Sequence, residues 1–184
     1  MATEFPPVYG AYTKKQVIDI ATNAVGIKGF SMIQVSITHP DPEFIVPVVG
    51  TGNQDLDPDN GGFYDILNGY SQVYLNGDAM SVLADGRVQF LVDGKVDAKG
   101  YADVSSDTNN STAGICFSIE RNGSTIYSAR SVHSKMPNSG DIGHLSGFGD
   151  LDVLAGDIVG AAIASDKSGD ISIKSSSLIF HHFG

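Results

Sequence analysis

Apolar and polar residues alternate with a two-residue period through most of this chain, and turn residues break the alternation at short intervals. Ile33, Val35 and Ile37 open the series, and the strand they predict stops at His39-Pro40, where proline disfavours continuation. The segment from Pro40 to Gly50 is extended, and Pro47, which lacks an amide donor, assigns it to a sheet edge. From Ser71 onward the pattern is entirely β. Val73 and Leu75 flank Tyr74 ahead of the turn Asn76-Gly77-Asp78, and Ser81–Ala84 leads to the hairpin signal Asp85-Gly86. Val88, Phe90 and Val92 alternate up to Asp93-Gly94, and Val96–Ser105 follows with Tyr101 as a core candidate. Ile115, Phe117 and Ile119 lead into Asn122-Gly123, the strongest hairpin turn of the chain, and Ile126–Val132 returns. After a polar loop at 133–143, Leu151, Val153 and Leu154 reach the turn Ala155-Gly156-Asp157. Ile158–Ala164, Ile171 with Ile173, and Leu178-Ile179-Phe180 complete the series. About eight strands at this spacing predict an all-β sandwich or jelly roll.

The first seventy residues read differently. The opening MATEFPPVYGAY holds Pro6 and Pro7 and cannot be helical; its aromatics Phe5, Tyr9 and Tyr12 make sense if they pack on a neighbour. Thr13 and Gln16 fit a capping box, and Val17, Ile20, Ala21, Ala24 and Val25 recur at helical spacing, which predicts one short helix over 14–25 ended by Gly26 and Gly29. Residues 50–70 form a long loop. In it Asp55, Asp57 and Asp59 are spaced like the start of a calcium loop, but Asn60 and Ile66 stand where that loop needs glycine and glutamate. The three aspartates are therefore weak metal candidates, and turn formation is the plainer role. The organisation expected is an arm, helix and first strand over 1–40, an acidic loop-rich linker over 41–70, and a β domain over 71–184.

Charge narrows the partners. Formal net charge is −10, which argues against binding a nucleic-acid backbone. Residues 1–40 carry Lys14, Lys15 and Lys28 against Glu4 and Asp19, so the rest of the chain holds the whole deficit, and no Lys or Arg occurs between Gly29 and Gly86. Charged residues make up 17% against about a quarter in an average domain, which points to surface covered by other subunits. No apolar run reaches membrane-spanning length, so no membrane partner is expected. MATEFPPVYG lacks the basic and apolar regions of a secretory leader, so synthesis in a cytoplasm is expected.

Reactive chemistry is not marked. Cys116, the lone cysteine, sits in an apolar strand as a small buried side chain. Ser146 lies in GHLSGFG, which is not a nucleophile elbow, and neither a phosphate-binding loop nor a dinucleotide fingerprint is present. His133 and His144 lack a metal-site context, and His181 and His182, as strand neighbours, point to opposite faces. No catalytic residue and no cofactor is expected.

The order of turns and strands over about residues 71–183 resembles the C1q/TNF-like jelly-roll family, as found among phage structural proteins. The likeness rests on Asp93-Gly94 followed by Gly100-Tyr101, on the hairpin from Ile119 through Asn122-Gly123 to Ile126, on the turn Val153-Leu154-Ala155-Gly156-Asp157-Ile158-Val159, and on the closing Ser-Ser-Leu-Ile-Phe. It implies a homotrimer, with Tyr101, Phe180 and Phe183 as interface candidates and the final strand near the threefold axis. The functional expectation is a non-enzymatic phage capsid decoration, or cement, protein on the virion exterior. Its arm (Phe5, Tyr9, Tyr12, Lys14, Lys15) would contact the major capsid protein. The alternative is the receptor-binding tip of a tail fibre or baseplate that recognises a host saccharide or protein.

Overall fold

The computed structural model describes residues 30–38, 44–67, 69–128 and 131–183, and in them the alternation becomes thirteen strands and one short 3-10 turn, Pro58–Asn60. The strands are β1 (Phe30–Thr38), β2 (Phe44–Val48), β3 (Tyr64–Asp65), β4 (Ser71–Asn76), β5 (Met80–Val82), β6 (Val88–Phe90), β7 (Gly94–Ser106), β8 (Ser111–Arg121), β9 (Ser124–Tyr127), β10 (Val132–Met136), β11 (Ile142–Val153), β12 (Ile158–Ser165) and β13 (Gly169–Phe183). They form two antiparallel sheets. The first runs β11-β7-β13-β1-β4, with β2 also on β13; the second runs β10-β8-β12-β6-β5, with β3 on β12 and β9 on β8. Neighbours in the sheets are mostly distant in sequence, as in a jelly roll rather than a meander. The arm and helix expected over 1–29 lie outside the described residues.

Local turn chemistry is as the sequence predicts. Asn122 and Gly123 both have positive φ (52° and 76°), the two-residue geometry whose twist matches the β8–β9 hairpin. Asp85-Gly86 joins the β5–β6 hairpin, and Pro47 lies on β2, which pairs only with β13.

The last strand is longer than its sequence reads. β13 is continuous over fifteen residues, but its register shifts between Ile173 and Ser175. Before this bulge Ile171 and Ile173 face the core; after it Ser176, Leu178, Phe180 and His182 do. The extra residue moves the inward positions from odd to even, so an alternation that looks like two strands is one bulged strand.

The main core lies between the sheets. Phe180 is fully buried there, with its ring edge-on to Phe90 at 6.1 Å and 5.9 Å from Phe117. It is therefore not available for packing on a threefold axis, because its strand position turns it inward. Tyr101 is corrected the other way. As a core candidate it fails, since the inward positions of β7 are Val96, Ala98, Gly100, Ala102 and Val104, and Tyr101 is 42% exposed on the outer face. The histidine pair divides as strand geometry requires. His182 is buried against Phe90 and donates Nε2–H to the Asp93 carbonyl at 3.2 Å; His181 lies on the outer face. A Cβ at Gly94 would come 2.3 Å from that nitrogen, so His182 requires glycine there.

Candidate functional site

The two sheets treat their outer faces differently, and this difference locates the site. On the second sheet, β8 and β12 place small residues outward: Gly114, Cys116 and Ser118 on one, Gly160, Ala162 and Ala164 on the other. The chain's own segment 49–67 lies over Gly114, Cys116, Ala162 and Ala164, and the Arg87 side chain lies over Gly160. Leu56 and Phe63 pack on Cys116, Ala162 and Ala164, and a Cβ at Gly114 would sit 3.0 Å from the Leu56 side chain. The segment is pinned by backbone bonds from Thr51 to Ser165, Gly52 to Asp166 and Ile66 to Ala161. Ser131 donates to the Leu56 carbonyl, and the Tyr127 hydroxyl donates to that of Phe63 at 3.2 Å. Burial there pushes the Cys116 thiol well above its ordinary range, so it is an inert packing group.

Asp55, Asp57 and Asp59 belong to this segment and do not converge. Asp57 caps the 3-10 turn by accepting from the Asp59 amide at 3.0 Å, and the Asp55 amide donates to the Asn53 side chain at 3.0 Å. Among the described residues no three His, Cys, Asp or Glu side chains are grouped to hold a metal ion. Asp57 thus shapes the turn with its carboxylate, while Asp55 and Asp59 take part through their backbone amides.

The first sheet's outer face has no such cover among the described residues. At one end Phe30 of β1 pairs with Phe183 of β13 with rings 5.9 Å apart, and Phe30 also stacks on His181 at 5.9 Å. Phe183 is 51% exposed. Toward the other end Tyr101 stands beside a depression of about 470 Å³ lined by Ser36, Asp103, His144, Ser146, Ser175 and Ser177. Exposed Tyr74 on β4 and Ile142 on β11 extend the face to its edges. Phe183 and Tyr101 are thus exposed on this face, whereas Phe180 is in the core.

Two carboxylates hold histidines on this face. Asp103 on β7 sits opposite His144 on β11, with His144 Nδ1 at 2.6 Å from one carboxylate oxygen and the Ser175 hydroxyl donating to the other at 2.9 Å. The hydrogen bond from His144, with that from Ser175, holds the Asp103 carboxyl below its usual range. Asp97 lies 3.4 Å from His181 Nδ1 and 3.3 Å from Lys99 Nζ. Asp103 and His144 have the first link of a charge-relay geometry. Among the described residues no serine hydroxyl bonds the other imidazole nitrogen. In sequence Asp103 and His144 are forty-one residues apart, and only strand register joins them. The partner-contact residues Phe5, Tyr9, Tyr12, Lys14 and Lys15 lie outside the described residues.

No family model matches the sequence, and no curated protein matches it. Solved structures do match in shape. The Eiger TNF of S. frugiperda superposes with a TM-score of 0.60 at 9% identity, covering 85% of this chain and 94% of that one. The globular domain of zebrafish complement 1qA gives 0.54 at 10% identity, covering 84% and 97%. Murine APRIL at pH 5.0 gives 0.50 at 16% identity, covering 84% and 100%. At these identities the likeness is one of architecture: the chain is an all-β sandwich with the jelly-roll fold shared by TNF-like and C1q-like globular domains.

Proposed function

We propose that this protein is a non-enzymatic virion component, a homotrimer that decorates and cements the exterior of a phage capsid. The observation that carries the proposal is the unequal cover of the sandwich. One outer face is sealed by the chain itself, and the other presents Phe30, Tyr74, Tyr101, Ile142 and Phe183 to solvent. Exposed aromatic residues of this kind are characteristic of interface centres. The fold supports the reading, and three identical faces meeting around an axis close without leaving a free edge. An obligate interface of this kind buries roughly 2,000–5,000 Å² in total.

In this reading the N-terminal arm, with Phe5, Tyr9, Tyr12, Lys14 and Lys15, binds the major capsid protein. Three arms per trimer raise the effective concentration of each at the lattice, so modest contacts add to firm attachment. Binding to the assembled shell and not to ruptured states stabilises the shell by mass action.

Sedimentation velocity of the purified protein tests the assembly. A three-copy species is expected, and Tyr101→Glu with Phe183→Glu should give a folded monomer; a wild-type monomer at micromolar concentration would end the proposal. Binding to decoration-free capsids tests the role. It should saturate in multiples of three and disappear when residues 1–12 are deleted, with the trimer intact. Adsorption to host cells without shell binding would instead favour the receptor-binding tip.

A further inference from the structure

Asp103 and His144 lie within the face assigned above to self-association, and their electrostatics bear on how that face closes. With a neutral imidazole, His144 donates Nδ1–H to Asp103 and Ser175 donates its hydroxyl. The cluster then carries one uncompensated negative charge. It is open to water in the protomer, with the side chains of His144 and Asp103 79% and 43% exposed. A neighbour that covers it removes this water, and burial of an unpaired carboxylate is costly. Uptake of one proton at His144 converts the cluster into a neutral imidazolium–carboxylate pair with a 2.6 Å hydrogen bond, the state least costly to cover.

The surroundings make His144 the group that decides this charge. On β7 it faces Asp103 and the Tyr101 phenol, and on β13 Ser175 and Ser177, with Lys174 at the bulge. β1 contributes the neutral Ser36. β10, which adjoins β11 at the open edge, carries His133 and Lys135, both exposed; the acids of β11 are Asp150 and Asp152, and Asp141 immediately precedes it. The second pair on the face differs. Asp97 has Lys99 3.3 Å away as well as His181, so its charge is already balanced while His181 is neutral.

We propose that trimer formation through this face is proton-linked, with His144 taking up a proton as Asp103 is covered, so that assembly tightens on mild acidification. The inference rests on the interface reading above. Histidine is the side chain whose charge ordinarily changes between about pH 5 and 8, which sets the range to be tested.

The test is the association constant measured by sedimentation equilibrium at pH 7.5, 6.5 and 5.5. In the wild type it should rise by up to about tenfold per pH unit for each proton taken up. His144→Gln should lose most of that slope, and His181→Gln should keep it. Asp103→Asn, which removes the charge, should bind more tightly than wild type at pH 7.5 and show little pH dependence. Circular dichroism at each pH confirms that every variant is folded. A trimer whose constant does not change with pH, or a His144→Gln variant with the wild-type slope, overturns the proton linkage alone. Absence of self-association at every pH overturns the interface reading and this inference with it.

Discussion

The two outer faces of the sandwich solve one problem in opposite ways. A sheet one residue thick has two sides to cover, and β8 and β12 cover theirs with the chain's own segment 49–67. Their outward residues are small, and glycine, alanine and cysteine leave room for Leu56 and Phe63 to seat. β1, β7 and β13 instead send Phe30, Tyr101 and Phe183 into solvent, separated by serines and paired charges. Small outward residues therefore mark the face closed by a loop of the same chain, whereas the aromatics of the other face stand isolated among hydroxyls in solvent, as the proposed self-association requires.

The sharpest test of this contrast lies within β13. Phe180→Ala should cost about 3–5 kcal/mol of protomer stability, because it opens a cavity beside Phe90 and Phe117. Phe183→Ala, three residues on, should cost the protomer under about 1 kcal/mol and act on association instead. Denaturant unfolding of the two variants in an already monomeric background measures both; equal losses would break the distinction between the faces.

A somewhat smaller effect is expected in the covering segment. Leu56→Ala should cost about 2–4 kcal/mol and expose the second sheet. Its specific readout is Cys116, which should react with a thiol reagent in the folded variant and not in the wild type. Unchanged protection would show that the segment is held without Leu56.

Acid provides a third, smaller test, since it acts on the turn that joins the sheets. Asp157 accepts from Arg121 at 2.5 Å and from the Leu154 amide at 2.8 Å. Burial opposes its charge, but these hydrogen bonds outweigh burial and leave its carboxyl below the usual range. A lowered folded-state pKa contributes stability above the unfolded carboxylate range, and that contribution is lost as pH falls through the folded value. The difference in Tm between wild type and Asp157→Asn should therefore be largest near neutrality and shrink toward pH 2. A constant difference would show that the carboxylate charge is not what matters.

The smallest effect should be a gain. Gly147 faces the core beside Gly100, and an added Cβ would meet only the Val132 side chain, at 3.9 Å. Gly147→Ala should raise stability by about 0.4–1 kcal/mol, through a less flexible unfolded chain. Thermal unfolding would register this as a Tm increase, and a decrease would show that the inner side of β11 cannot accept the methyl group.

Much of the fold is legible in the sequence. The alternation of Ile33, Val35 and Ile37, the Asn122-Gly123 hairpin and the edge position implied by Pro47 all recur in the structure. Each depends on residues close in sequence. β11 is harder to read from sequence, because Gly143, Gly147 and Gly149 occupy inward positions where apolar residues are expected, so its first half resembles a loop. β13 looks like two strands in sequence for a related reason, because its bulge at Lys174 changes the phase of alternation.

The site was less legible. Phe180 and Phe183 look alike in sequence, and only their phase relative to the bulge sends one inward and the other out. Asp103 and His144 could not be paired from the sequence, since their contact depends on the register of β7 against β11. The sequence by itself determined the β class, the turns and the strand periodicity, because these follow from backbone sterics and side-chain spacing over a few residues. The tertiary structure alone decided the register, the order of strands and which outer face the chain covers, because those depend on where segments distant in sequence come to rest.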